Sequence, residues 1–205
     1  MGISSETVGY ITYEKLLSQM KADAEGRKIL QRRQRISSDT LLFSKFCAPG
    51  TLGNLYFSFM VANGFHPNER PPVTFTKDGE LHFVAVRARE IHDLLHVLFD
   101  CPTNLQGELA LKAIEFVQYG LPAHWASTYF ASFRLSVSEQ HLLEYTFLPW
   151  AVRAASRAPN LICRDYEQLL KVQVSQLRTE WHISEFPRYS KGLLQKMDAG
   201  VKDQT

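Results

Sequence analysis

Between Leu81 and Phe99 the apolar residues Leu81, Val84, Ala88, Ile91, Leu95 and Leu98 recur at helical spacing, and this stripe must face a core. His92, Asp93 and His96 lie inside the same stretch. At about 100° per residue, His96 sits roughly 40° round from His92, and Asp93 roughly 100° round. The two imidazoles flank the apolar stripe and do not occupy its opposite, wet side. Burying such groups without partners costs several kcal/mol. The fold must therefore bring these residues either a cation or a set of hydrogen-bonding partners.

A second element is needed to supply what the first lacks. Cys101-Pro102 ends the helix, because proline has no N–H to continue it. Thr103-Asn104-Leu105-Gln106 has the pattern of a capping box and predicts a new helix from there to about Tyr119. Eleven residues separate His96 from Glu108, so a short turn makes the two helices neighbours. On the second helix Glu108, Lys112, Glu115 and Tyr119 share one side, within roughly 60°. Two readings stay open for that side. It is a solvated face with a weak Glu108–Lys112 pair, or it turns inward and lends Glu108 to His92, Asp93 and His96 as a divalent-metal ligand.

Arg89 falls one turn before Asp93. It either orients that carboxylate or grips an anionic substrate group in a bidentate contact; His82 extends the same face weakly. Phe116, Trp125, Tyr129 and Phe133 follow the motif. The last three recur every four residues, the pattern of a core stripe or of the wall of an apolar pocket for a long lipid tail. A His-Asp pair also occurs in metal phosphohydrolases, but neither His66 nor His82 nor Asp165 stands at a spacing that completes such a ligand set. In zinc peptidases a glutamate follows the first histidine, and here that residue is Asp93.

Little strand signal accompanies these patterns. Helices are expected over 12–31, 38–46, 55–63, from an N-cap at Asp78 to Phe99, over 123–147, 149–157 and 165–181, with a loop at 66–76 and a break or kink at Pro149. The expectation is an all-α single domain over 1–187, with a polar, disordered tail over 188–205. The formal charge of +2 favours no particular partner, and no nucleic acid is expected. The basic run Arg27, Lys28, Arg32, Arg33 and Arg35 is either a solvated face or a contact for anionic lipid headgroups. Cys47, Cys101 and Cys163 match neither a zinc knuckle nor a disulfide framework, so free thiols in a reducing compartment are expected. Glu6 stands where a myristoylation start requires Ser or Thr.

The run His92-Asp93-x-x-His96-x11-Glu108 resembles the motif of the coenzyme Q (ubiquinone) biosynthesis protein four family. Arg89-Glu90-Ile91, Pro102-Thr103-Asn104, Gly107, Glu115, Val117-Gln118 and Gly120-Leu121-Pro122 are similar to the family's flanking residues. So are Arg35-Ile36-Ser37, Gly50-Thr51-Leu52-Gly53 and Pro149-Trp150-Ala151-Val152. The similarity runs from about Glu6 to Ile183; Ala123 and Ala48 depart from residues common in the family. The resemblance implies a helical homo-oligomer acting on polyprenylated benzoate intermediates of ubiquinone synthesis. It implies oxidative removal of the ring carboxyl at C1, leaving a hydroxyl, and organisation of the other biosynthetic enzymes into a complex. It also implies peripheral attachment to the mitochondrial inner membrane on the matrix side, although no leader is visible in this sequence. His92, Asp93, His96 and Glu108 would hold one divalent ion, zinc first, with ferrous iron or another divalent metal as the alternative. Phe116, Trp125, Tyr129 and Phe133 would hold the prenyl tail.

Overall fold

The structure is a computed structural model that describes residues 2–70, 72–74, 76 and 79–188, with the side chains of 2–8, 123–125 and 127 outside that description. The N-cap expected at Asp78 and, beyond Arg188, the expected tail also lie outside the described residues.

The first expected helix is two. α1 (Gly2–Ala22) ends at Asp23, whose carboxylate accepts from the N–H groups of Glu25 and Gly26 and so starts α2 (Ala24–Arg32). Gly26 permits the tight bend, since a Cβ there would lie 2.5 Å from the Met20 carbonyl oxygen. α3 (Ser38–Ser44) is capped by Ser37, and α4 (Leu52–Asn63) begins earlier than expected because Thr51 caps it. The described residues of 66–76 form a loop with a 3-10 turn at Pro67–Glu69.

α5 (Gly79–Glu90) and α6 (His92–Phe99) form the expected long helix, interrupted only at Ile91. The N–H of Ile91 still reaches the Arg87 carbonyl, and its own carbonyl still accepts from Leu95. The helical register therefore carries through to His92. Val84, Ala88, Ile91, Leu95 and Leu98 are all buried, as their spacing requires. α7 (Leu105–Tyr119) follows, but its N-cap is Asn104, whose side chain accepts from the Gly107 N–H. Thr103, expected as the cap, donates instead to Asn63 of α4. Gly120 ends α7 in the left-handed conformation that favours glycine.

The expected 123–147 helix is divided into α8 (Pro122–Ser132) and α9 (Val137–Leu142), the latter opened by a Ser136–Glu139 capping box. A π-helical turn, Leu143–Phe147, then runs into α10 (Leu148–Arg157). Pro149 cannot donate to the carbonyl four residues back, and a wider turn immediately before it accommodates that loss. Beyond α10, α11 (Tyr166–Leu169) and α12 (Val174–Glu180) replace the single expected helix. The intervening residues pair with the approach to α4: Leu52 N–H donates to Val172, Gly53 N–H to Leu170, and Val174 N–H to Gly50.

These helices pack into one all-α body. α7 lies between α8 and α10, and it meets α6 at the Pro102 turn. α4 covers the other side of α6, α1 packs on α2, α5 and α8, and the 183–186 segment is tied to α6 by Phe186 N–H to the Phe99 carbonyl. Among the described residues no helix is long and apolar enough to cross a membrane.

Glycine at 107 sets how closely α7 approaches the turn. A Cβ there would lie 2.1 Å from the Pro102 carbonyl oxygen and 2.7 Å from the proline ring. Gly107→Ala is therefore expected to destabilise the protein by about 1–3 kcal/mol, the usual cost of overpacking. Denaturant unfolding should show a lower midpoint at unchanged slope; an unchanged midpoint would mean that the turn relaxes freely.

Candidate metal centre

His92 opens α6 and His96 lies one turn further on, with ring centroids 4.8 Å apart and planes perpendicular. Glu108 comes from the first turn of α7. Its Oε1 is 3.1 Å from Nε2 of His96, and its Oε2 is 3.6 Å from Nε2 of His92. One ligand atom from each of the three residues falls within 4.8 Å of the others. Two imidazoles and one carboxylate so converged make a donor set suited to zinc or to ferrous iron.

Each ring is also held from behind. Nδ1 of His92 is 2.8 Å from the Glu115 carboxylate, and Nδ1 of His96 is 2.9 Å from the Cys101 carbonyl. A carbonyl only accepts, so Nδ1 of His96 donates to it, and that bond turns Nε2 toward Glu108. Anchoring the far nitrogen of a metal-binding histidine by a carboxylate or backbone carbonyl is how such rings are oriented. His96 is 2% exposed, and the Phe59 ring stacks on it at 5.1 Å. His92 and Glu108 are only partly buried, so the cluster opens on one side.

The electrostatics follow from this geometry. Burial works against a charge on His92, but Glu115 and Glu108 prevail and push its pKa up to about 10. Burial likewise opposes charge on Glu108, yet hydrogen bonds from His92 and His96 hold it well below the usual carboxylate range. Without a metal, the cluster is an ion pair of protonated His92 with two carboxylates.

Asp93, expected as the fourth ligand, stands outside the converging group. Its Oδ2 accepts from Arg70 Nε at 3.1 Å and Nη2 at 2.6 Å. Roughly 100° of helical rotation turns it from His92 toward the loop that carries Arg70. The expected Arg89 contact to Asp93 is thus supplied by Arg70, while Arg89 donates to the Pro72 carbonyl. His82 engages the Thr76 carbonyl.

The aromatic stripe also departs from expectation. Tyr129 and Phe133 are 54% and 65% exposed, stacked edge-to-face on the surface of α8 beside Phe130. The buried side of α8 is marked by Thr128, one residue and about 100° from Tyr129. Phe116 is half-buried, and the Trp125 side chain lies outside the described residues. A cleft of about 610 Å³ lies at the Pro102 turn, with Phe59, Asn63, Cys101, Pro102, Thr103 and Phe186 among its lining residues.

Sequence reasoning missed Arg70, which sits in an aperiodic proline-rich loop, and it assigned no role to the Cys101 carbonyl. Glu115 left a signal: it lies seven residues, close to two full turns, from Glu108.

The raised pKa of His92 has a definite consequence for stability. The folded value near 10 exceeds the ordinary 6.5, so the stabilisation is complete below pH 6.5 and is lost as pH rises to about 10. Glu108 is depressed from 4.5, so its contribution is complete above pH 4.5 and disappears in stronger acid. The stability difference between wild type and His92→Gln, measured by thermal unfolding in chelator, should be largest at about pH 4.5–6.5. It should shrink toward pH 10; a difference constant across that range would contradict the ion pair.

The model of the family described as coenzyme Q (ubiquinone) biosynthesis protein Coq4 matches residues 1–187. The chain is 40% identical over 195 residues to the mitochondrial ubiquinone biosynthesis protein COQ4 homolog of Rattus norvegicus, covering 94% of this chain and 74% of that protein. The Homo sapiens homolog is 38% identical over 195 residues, with the same coverage of both chains. The crystal structure of a putative ubiquinone biosynthesis protein from Nostoc punctiforme superposes with a TM-score of 0.66 at 25% identity, covering 83% of this chain and 80% of that one. The likeness runs through the whole helical body that carries the two histidines and the glutamate, and this chain belongs to the coenzyme Q (ubiquinone) biosynthesis protein Coq4 family.

Proposed function

We propose that this protein removes the C1 carboxyl of a 4-hydroxy-3-methoxy-5-polyprenylbenzoate in ubiquinone biosynthesis, in a metal-dependent reaction that leaves a C1 hydroxyl. The observation that carries this reading is the convergence of both Nε2 atoms on the Glu108 carboxylate, with both Nδ1 atoms already anchored. His92, His96 and Glu108 would hold the ion, joined by Asp93. The bound ion supplies Lewis acidity toward the substrate carboxylate or a neighbouring ring oxygen, stabilising charge that develops as carbon dioxide leaves.

The protein's own groups do the rest. Glu115 and the Cys101 carbonyl keep the rings aimed by accepting from the Nδ1 atoms of His92 and His96. Arg89 lies with Arg35, Arg70, Ser37 and Glu90 in a cleft of about 480 Å³, where a guanidinium suits a benzoate carboxylate. Replacing a carboxyl by a hydroxyl is a net oxidation and needs an external oxidant such as dioxygen. Zinc has no redox chemistry and would serve carboxyl loss alone. Two histidines with a carboxylate also suit non-haem iron, which covers both halves of the reaction. Apolar surface on α7 and α8, including Phe116, Trp125, Tyr129 and Phe133, would meet the prenyl tail at about 0.8 kcal/mol per buried methylene.

The relatives' names place them in mitochondria, and we place this chain on the matrix side of the inner membrane as a peripheral homo-oligomer within the biosynthetic complex. A second reading is a non-catalytic prenyl-lipid scaffold with a structural metal. The exposed aromatic group Tyr129, Phe130 and Phe133 favours it, since such surface serves partners as readily as substrate.

The test is turnover by the isolated protein, stripped of metal and reloaded with zinc or ferrous iron, following carbon dioxide and the hydroxylated ring. Glu108→Ala and His96→Ala proteins that remain folded should lose at least about 100-fold in rate, the upper end of what outer-shell changes alone cost. Carboxyl removal at the wild-type rate by either variant would sink the catalytic assignment and favour the scaffold.

A further inference from the structure

We propose that Arg70 is a positioning residue of the metal centre, acting on the ion through Asp93. This rests on the metal-binding reading above and adds to it a residue that touches none of the three converging ligands. Arg70 and Asp93 are 17% and 15% exposed, a largely buried pair. Two N–H groups of the guanidinium, Nε and Nη2, fall on the same carboxylate oxygen, Oδ2. Oδ1 is therefore the oxygen left to an incoming cation, and Asp93 is offered as a one-oxygen ligand.

The clamp is itself fixed at two further points. Nη1 donates to the Ile36 carbonyl at 2.9 Å, on the approach to α3, and Nη2 to the Tyr56 hydroxyl at 3.1 Å, on α4. The guanidinium is planar, and it stays charged at any accessible pH. Its fork is thus locked to three separate parts of the fold before any metal arrives. Asp93 follows His92 directly, so holding its carboxylate also removes a rotor beside the first ligand. Orienting partners of this kind characteristically govern metal affinity by 10–100-fold. Arg70 also lines the 480 Å³ cleft, so one side chain joins the anion cleft to the metal centre.

The test is a titration of metal-free full-length protein with Zn²⁺ and with Co²⁺, the latter followed by its visible spectrum. Arg70→Gln should bind about 10–100-fold more weakly than wild type and show an altered Co²⁺ spectrum. Arg70→Lys keeps the charge but loses the fork, and its affinity should fall between the two. Tyr56→Phe removes one anchor of the fork while leaving the Arg70–Asp93 pair, and it should weaken binding less than Arg70→Gln does. If Arg70 acts through Asp93, Arg70→Gln adds no further loss in an Asp93→Asn background. A folded Arg70→Gln protein with wild-type affinity and spectrum overturns the inference, as does a full Arg70→Gln effect persisting without Asp93. Failure of the wild-type chain to bind either metal would instead bring down the metal reading on which the inference stands.

Discussion

The hydrogen bond between Nδ1 of His96 and the Cys101 carbonyl joins the chemistry of this protein to its chain path. Cys101 lies just past the C-cap of α6, and its carbonyl reaches back to aim a ligand on the last turn of that helix. The same few residues reverse the chain. Asp100 takes the left-handed conformation, Pro102 bars further helix, and Asn104 opens α7. Gly107 then lets α7 lie against the Pro102 carbonyl, which delivers Glu108 to Nε2 of the ring that Cys101 has oriented. Ligand, turn and facing ligand form one short unit, so their mutual geometry depends little on distant packing.

Around that unit the helical core encloses more charge than an ordinary core carries. His92 lies between Glu115 and Glu108, and Asp93 lies under Arg70. Arg87, fully buried, meets Glu167 and the carbonyls of Ile162 and Arg164. Each of these pairs answers a desolvation cost that an apolar residue would not incur. In each of the two arginine pairs the guanidinium engages one oxygen of its carboxylate, Oε1 of Glu167 and Oδ2 of Asp93. The histidine cluster differs because its two Nε2 atoms point at a single carboxylate, and a divalent cation matches such a convergent, electron-rich set better than one shared proton does.

Much of this was legible from residue order. The apolar stripe from Leu81 to Phe99, the stop at Pro102 and the restart before Glu108 placed both histidines and the glutamate correctly relative to their helices. The reading weakened wherever a local preference met a tertiary demand. The helix expected over 165–181 is broken because Leu170 and Val172 give their carbonyls to the N–H groups of Gly53 and Leu52. The stripe of Trp125, Tyr129 and Phe133 reads equally as core or as pocket wall, because periodicity identifies a shared face without saying what that face meets; Tyr129 and Phe133 are exposed. Phe130 beside it is exposed too.

By itself, then, the amino-acid order determined the helical class, the register of His92, Asp93 and His96 on one helix, and the short turn that makes the Glu108 helix its neighbour. These are short-range matters of 3.6-residue periodicity, proline's missing donor and side-chain capping. Only the tertiary structure decided which groups stand behind the ligands. It gave His92 to Glu115, and it gave Asp93 to Arg70, 23 residues upstream. Arg89 had been the nearer candidate on the helix itself. A carboxylate's partner is chosen by distance and burial across the packed molecule, and no spacing along the chain encodes that.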